Sequence, residues 1–343
     1  MTRIIVIGSR GFFGAAAVDL LRRDGERPIT GSRRPGSDLL IDAENESSLR
    51  AALREGDVVI DAAGPFQRRS TVLIETAFTI GCDVIDISDS LTYAIALQKL
   101  APRINGAGTR VLTSCSSVSA VSAALVRLIG ATNPTRVSAF LAPATRNTST
   151  SATALSLFSS LEGPIRVGRG GCLVEARAFS QQRPFTFAPP VGRIHGRLSE
   201  SPDAVRLPLI WPTLRDVDFW VDTRRRLLNT LFAAAGRDRS LRALARAVQP
   251  AGRRIAKWFG ARSGGFAVEV EDAGGRRHAA GFVHATHSYT VAVAPAVLAA
   301  RALVAGTFAG RGLIPADRQV DPRELVAYLG RSGVQYFRDE PTT

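Results

Sequence analysis

The stretch Ile4-Ile5-Val6-Ile7-Gly8-Ser9-Arg10-Gly11-Phe12-Phe13-Gly14-Ala15-Ala16-Ala17-Val18 decides the fold of this chain. Its first four residues are β-branched and read as a strand buried on both faces, whereas Ala15 onward reads as a helix. Between them the glycines must turn strand sharply into helix. Gly8 makes the turn, Gly11 lets the backbone approach a phosphate, and Gly14 permits close helix–strand packing. The N–H groups of the helix's first turn then face an anion. The loop from Gly8 to Gly14, including Ser9, Arg10, Phe12 and Phe13, is thus predicted to hold the pyrophosphate of a dinucleotide.

The same alternation of strand and helix continues to about residue 130. Short apolar strands are predicted at 28–30, 39–41, 57–61, 83–87 and 110–113, with helices over 13–24, 47–54, 70–80 and 91–104. Six strands joined by crossovers predict an α/β fold, a Rossmann-type doubly wound parallel sheet. Beyond Gly130 the pattern changes. Strand-like runs at 136–142 and 171–179 precede an Arg-rich helical region over 223–259. A hairpin of 265–271 and 276–288 turns at Ala273-Gly274-Gly275, and helices follow over 295–305 and 321–330. The expected organisation is an NAD(P)-binding Rossmann domain over 1–130 and an α+β substrate or dimerisation domain over 131–290. Carboxy-terminal helices over 291–343 are expected to return to the first domain.

The end of the second strand bears on which dinucleotide is held. An NAD-binding site ordinarily places an acid there for the ribose 2′-hydroxyl. Pro28-Ile29-Thr30-Gly31-Ser32-Arg33-Arg34 contains none. A guanidinium from Arg33 or Arg34 can hold a 2′-phosphate bidentately, Ser32 can donate to it, and Arg10 can reach it from the glycine loop. NADP(H) is therefore expected over NAD(H). Asp42, after the third strand, is a further cofactor-binding candidate. Ala62, Ala63, Gly64, Pro65 and Phe66 follow the fourth strand and border the crevice where such sheets bind ligands.

Asp57-Val58-Val59-Ile60-Asp61-Ala62-Ala63-Gly64-Pro65-Phe66 resembles the D-V-V-x-N-A-A-G-P-F segment of the saccharopine dehydrogenase-like oxidoreductases. Leu73–Ala77 through Gly81–Ser88 is similar to that family's V-x-x-A-x-x-x-G-x-x-Y-x-D-x-S. The region from Pro295 to Pro322 is similar to its closing helix and G-v-x-P turn. Asp61 and Val84 stand where Asn and Tyr are usual, and Ser114-Cys115-Ser116-Ser117-Val118-Ser119 lacks the Gly-Pro of many relatives. The resemblance is strong over residues 1–120 and loose beyond. It implies an NAD(P)-binding domain fused to an α+β domain, and hydride transfer to or from a small organic substrate that it does not specify.

Hydride transfer requires orientation and an acid or base beside the reacting carbon. Asp86 ends the fifth strand and Tyr93 begins the following helix, and a carboxylate there can orient an amine or relay a proton. Ser88, Asp89 and Ser90 read equally well as helix caps. His195, in a Pro/Gly/Arg-rich stretch, is the third catalytic candidate. His284 and His287 are three apart on an apparent strand, so their rings are expected on opposite faces, and no metal is expected. The run Thr145–Thr153 opens a helix and, with Arg146, suits either an anionic group or a simple cap.

The chain has 343 residues, 45% hydrophobic and 22% charged, which suits two soluble domains. No apolar run is long enough to span a bilayer, and the amino terminus runs straight into the glycine turn, so a cytoplasmic protein is expected. Cys82, Cys115 and Cys172 lack metal-ligand spacing and read as small buried residues. The net charge of +14 comes almost wholly from arginines spread along the chain, with no basic tail, and does not read as nucleic-acid binding. Residues 224–262 combine many arginines with an apolar set. They describe either a helix that packs on a core or one that lies on a membrane surface. The expected activity is an NADP-dependent oxidoreductase, with a homodimer compatible with the second domain. A nucleotide-binding scaffold without activity and a peripheral membrane reductase acting on a lipid-like substrate stand as alternatives.

Overall fold

Strands this apolar must be covered on both faces, and they are. The computed structural model describes residues 2–149, 158–236 and 257–339, together with 238, 240, 241, 243, 245, 247 and 254. Its amino-terminal strands are β1 (Ile4–Ile7), β2 (Ile29–Ser32), β3 (Leu39–Leu40), β4 (Val58–Asp61), β5 (Asp83–Asp86) and β6 (Arg110–Leu112). Helices α1 (Phe12–Arg23), α2 (Glu46–Ala52), α3 (Val72–Ile80) and α4 (Leu91–Ala107) alternate with them. All pairings are parallel, in the order β3-β2-β1-β4-β5-β6. That is the order of a doubly wound dinucleotide-binding sheet, with its reversal between β1 and β4. The core below it joins Ile5, Ile7, Val59, Val84 and Val111 of the strands to Leu49, Leu73 and Leu97 of the helices.

A seventh strand, Gly312–Leu313, adds to β6 in parallel. Sequence periodicity cannot reveal it, because two residues among glycines carry no alternation.

The chain divides into two compact units. Met1–Val121 with Ala292–Asp321 forms one, and Ser122–Val291 with Pro322–Thr343 forms the other. The boundary falls before the expected residue 130, inside the helix Ala120–Ile129. The tail over 291–343 does not go to the first unit as a whole. Helix Thr290–Val304 and strand Gly312–Leu313 largely do. Strand Gln335–Arg338 instead pairs antiparallel with a strand of the second unit, and helix Pro322–Arg331 goes with it.

The second unit is built on β7 (Pro134–Ala142), β8 (Ile165–Arg169), β9 (Cys172–Ala176), β10 (Gln182–Thr186), β11 (Arg193–Ser199), β12 (Asp216–Val221), β13 (Gly264–Asp272) and β14 (Arg277–His284). The sheet runs β10-β11-β12-β7-β13-β14 and ends in Gln335–Arg338, with β8 joining β12 and β9 pairing β8. Only β7 and β12 run parallel; the sheet is mixed, as an α+β unit requires. Phe140, Phe179, Phe187, Trp220 and Phe232 fill its core, and Phe140 stacks on Phe185 at 4.2 Å.

Two local expectations need correction. Cys172 is exposed on β9, while Cys82 and Cys115 are buried. Burial pushes the Cys82 thiol up to about 12, which makes it a poor nucleophile. His284 and His287 do not lie on opposite faces. The strand ends at His284, the chain turns back, and the two rings meet edge to face at 5.4 Å. Part of the Arg-rich region, including Arg237, Arg239, Arg242, Arg246 and Arg253, lies outside the described residues, as do residues 150–153 of the Ser/Thr run. Among the described residues no helix is long and apolar enough to cross a membrane, and no cluster suits a metal ion.

Candidate active site

Gly8 lies at the tip of β1 with φ of +78°, a conformation that favours glycine. A Cβ there would meet the backbone of Ala62 and Ala63 at 2.7 Å, so the loop after β4 passes directly against it. A Cβ on Gly14 would collide with the Gly8 carbonyl. The loop is held by hydrogen bonds from Gly8 N to Gly31 O (2.9 Å) and from Gly11 N to Gly8 O (2.8 Å). Helix α1 starts from Gly11 with no side chain capping its first turn. An uncapped helix start beneath a glycine cradle fits a pyrophosphate.

At the end of β2, Ser9 Oγ donates to Gly31 O (3.1 Å). Ser32 is buried and its hydroxyl ties the following turn, donating to Arg34 O (2.9 Å) and accepting from Arg34 N (3.1 Å). The Arg10 guanidinium donates to Pro35 O, which brings it from the glycine loop onto this turn. Arg33 and Arg34 are exposed beside it. One acid does lie along β2, brought back by the loop that follows the strand. Asp38 accepts from Thr30 N (2.8 Å) and Thr30 Oγ1 (2.7 Å), and these bonds hold its carboxyl below the usual range. It serves the strand's middle rather than its end. Asp42 sits in a turn, where its carboxylate accepts from Glu44 N (3.0 Å) ahead of α2.

Parallel register sets Ile7, Asp61 and Asp86 side by side at the ends of β1, β4 and β5. Both carboxyls are fully buried, but their surroundings differ. Asp61 accepts from Arg69 Nη2 (2.7 Å) and Ala63 N (3.0 Å). Arg69 also donates to Ala63 O (2.8 Å) and pairs with Glu44 at 2.6 Å. Burial pushes the Asp61 carboxyl up, and Arg69 pulls against it. The Arg69 guanidinium stands 5.6 Å over Phe66, whose ring lies 5.5 Å from that of Tyr93.

Asp86 has no such counter-ion. Its Oδ1 accepts from Ser114 N (2.8 Å) and Ser88 N (3.0 Å). Among the described residues its Oδ2 has no hydrogen-bond partner, nor do Tyr93 Oη and the Thr113 and Ser114 hydroxyls. Thr113 is close enough to favour the ionised carboxylate, yet no bond of normal geometry closes between them. Burial raises Asp86 to about 6, the two backbone donors opposing it and Asp61 adding to it. The Tyr93 phenol is pushed well above 10 by burial and by Asp86 and Asp61. Ser90 caps α4 by accepting from Tyr93 N (3.2 Å), the capping role foreseen for it. His195 belongs to the second unit, on β11, where Gln182 lies 3.0 Å from its ring. The fold therefore gathers Asp86, Tyr93, Phe66 and the glycine loop in one unit, and His195 belongs to the other.

Arg69, Glu44, Thr113 and Ser114 complete the cluster and were not foreseen. Arg69 is one arginine among many in the sequence. The signal was Asp61 itself, since an acid at a buried strand end demands a counter-charge.

No protein-family model and no curated protein sequence matches this chain. Apo saccharopine dehydrogenase (L-Glu forming) from Saccharomyces cerevisiae is similar over 100% of both chains, with a TM-score of 0.67 at 13% identity. The chain has the fold of saccharopine dehydrogenase. The resemblance read in the sequence thus holds at the level of the saccharopine dehydrogenase fold. A dehydrogenase (MviM) from Clostridium difficile is similar over 96% of this chain and 99% of its own, at 6% identity and a TM-score of 0.42.

Proposed function

We propose that this chain is a nicotinamide-nucleotide-dependent oxidoreductase that prefers NADP(H) and acts on a small organic substrate. One observation carries the reading. The glycine cradle and the Asp86–Tyr93 pair lie at the same carboxyl edge of one sheet, and that pair holds buried polar atoms with no partner among the described residues.

Gly8, Gly11 and Gly14 would hold the pyrophosphate. Arg10, with Arg33 and Arg34, would hold a 2′-phosphate at the end of β2, while Asp38 is engaged by Thr30 within the strand. The loop of Ala62–Phe66, fixed by Arg69, would flank the nicotinamide side. When bound, the nicotinamide supplies or accepts a hydride. Asp86, with a carboxyl raised to about 6, is suited to take a proton at Oδ2 near neutral pH, and Tyr93 orients whatever hydrogen-bonds between them. Asp61 stays with Arg69 as a fixed charge pair. The fold of saccharopine dehydrogenase supports nucleotide binding and leaves the substrate open.

Fluorescence titration with NADPH and NADH tests the reading. Saturable binding of NADPH, tighter than NADH by about tenfold or more, is expected from one charge-assisted contact to the 2′-phosphate. Equal affinity would remove the NADP preference, and no binding of either would remove the oxidoreductase reading.

A further inference from the structure

Residues 239–268 contain seven basic side chains and no Asp or Glu. Within this acid-free stretch, Trp258 and Phe259 are 75% and 71% exposed, far more than Trp211 and Trp220 at 9% and 4%. Arg254 and Lys257, also helical, are exposed beside them. The aromatic pair is held in place from below. Arg146 Nε donates to Lys257 O (2.9 Å), Arg146 N to Ala261 O (3.1 Å), and Ala261 N to Thr145 Oγ1 (2.9 Å). Three hydrogen bonds thus clamp the turn from 257 to 261 against the short helix Thr145–Thr148, so the rings are presented outward rather than left loose.

Adjacent large aromatics on a surface demand something to cover them. We infer that Trp258 and Phe259, ringed by Arg254, Lys257 and Arg262, dock the protein on an anionic lipid bilayer surface. Aromatic rings at the headgroup level with basic side chains around them match the chemistry of that interface. A second copy of the chain suits the patch poorly. A two-fold contact would set the exposed Arg254, Lys257 and Arg262 against their own copies. A single-stranded nucleic acid suits it less well than lipid, because consecutive helical residues diverge by about 100° and offer no shared stacking plane.

Co-sedimentation with vesicles of phosphatidylglycerol and phosphatidylcholine in equal parts tests this. Binding is expected to the anionic vesicles, absent with pure phosphatidylcholine, and weakened at about 0.5 M salt. Trp258 should shift its emission to shorter wavelength on binding, since the other two tryptophans are already buried. The double variant Trp258→Ala, Phe259→Ala should lose about tenfold or more of the binding. Its melting temperature should stay unchanged, because both side chains are exposed. Charge alone drives adsorption if Arg254→Ala, Lys257→Ala abolishes binding and the aromatic variant binds as before, which overturns the proposal. No vesicle binding, with a dimer that the aromatic variant dissociates or with single-stranded RNA bound instead, overturns it too.

Discussion

Asp61 and Asp86 stand next to one another in register on β4 and β5, both sealed from water, yet only Asp61 holds a guanidinium. Burial raises both carboxyls. Arg69 opposes that rise at Asp61, whereas Asp86, with no guanidinium beside it, is raised to about 6.

Asp86 therefore imposes a pH dependence on folding. Its folded value, about 6, lies above the ordinary 3.8, so the native state binds its proton more tightly. The stability this contributes is complete below the ordinary carboxyl range. It is lost as pH rises through 6, on the order of 3 kcal/mol by neutrality. Asp86→Asn keeps an oxygen for Ser88 N and Ser114 N. We expect it to unfold at higher urea than the parent near pH 8, with the difference vanishing near pH 4. The same variant should abolish any proton-dependent turnover while leaving NADPH binding within a few-fold.

Arg69→Leu leaves the Asp61 charge buried and unpaired. Loss of about 3–5 kcal/mol is expected in urea unfolding. The double change Asp61→Asn, Arg69→Leu removes the stranded charge and should recover most of that loss. If the double variant is as unstable as the single, the pair is not what holds this strand end.

Gly14→Ala drives a methyl into the Gly8 carbonyl, which is backbone and cannot swing aside. Destabilisation of about 1–3 kcal/mol is expected, with loss of dinucleotide binding in calorimetric titration. Ala16→Gly, one turn into α1 and clear of the loop, is the control and should weaken binding little.

Arg10→Ala removes the guanidinium that reaches Pro35. NADPH affinity should fall about tenfold or more while NADH affinity stays the same, a ratio that fluorescence titration reads directly.

The glycine loop, the strand–helix alternation and the positions of Asp86, Tyr93 and Phe66 were legible in the sequence because each depends on neighbours close along the chain. Gly8 needed its positive φ, and the strands needed their apolar runs. The Asp61–Arg69–Glu44 cluster was not legible, since it forms only when the end of β4, the turn after it and the turn before α2 converge. The edge strand Gly312–Leu313 escaped for the same reason. Its partner lies some two hundred residues upstream, and nothing local marks it. Asp38 was not legible, because it lies beyond the 28–34 stretch in which an acid was sought. Its hydrogen bonds to Thr30 show that a short loop can fold one back onto the strand.

That late strand has a consequence for biogenesis. The first unit takes its last pieces from Ala292–Asp321, after the whole of Ser122–Val291 has been synthesised. While the ribosome makes the intervening segment, β6 stands as an open edge with unpaired amides, available to any passing strand. The amino-terminal unit can collapse early but cannot close until Ala292–Asp321 has been made. The second unit waits longer still, since its edge strand Gln335–Arg338 is made after the last piece of the first.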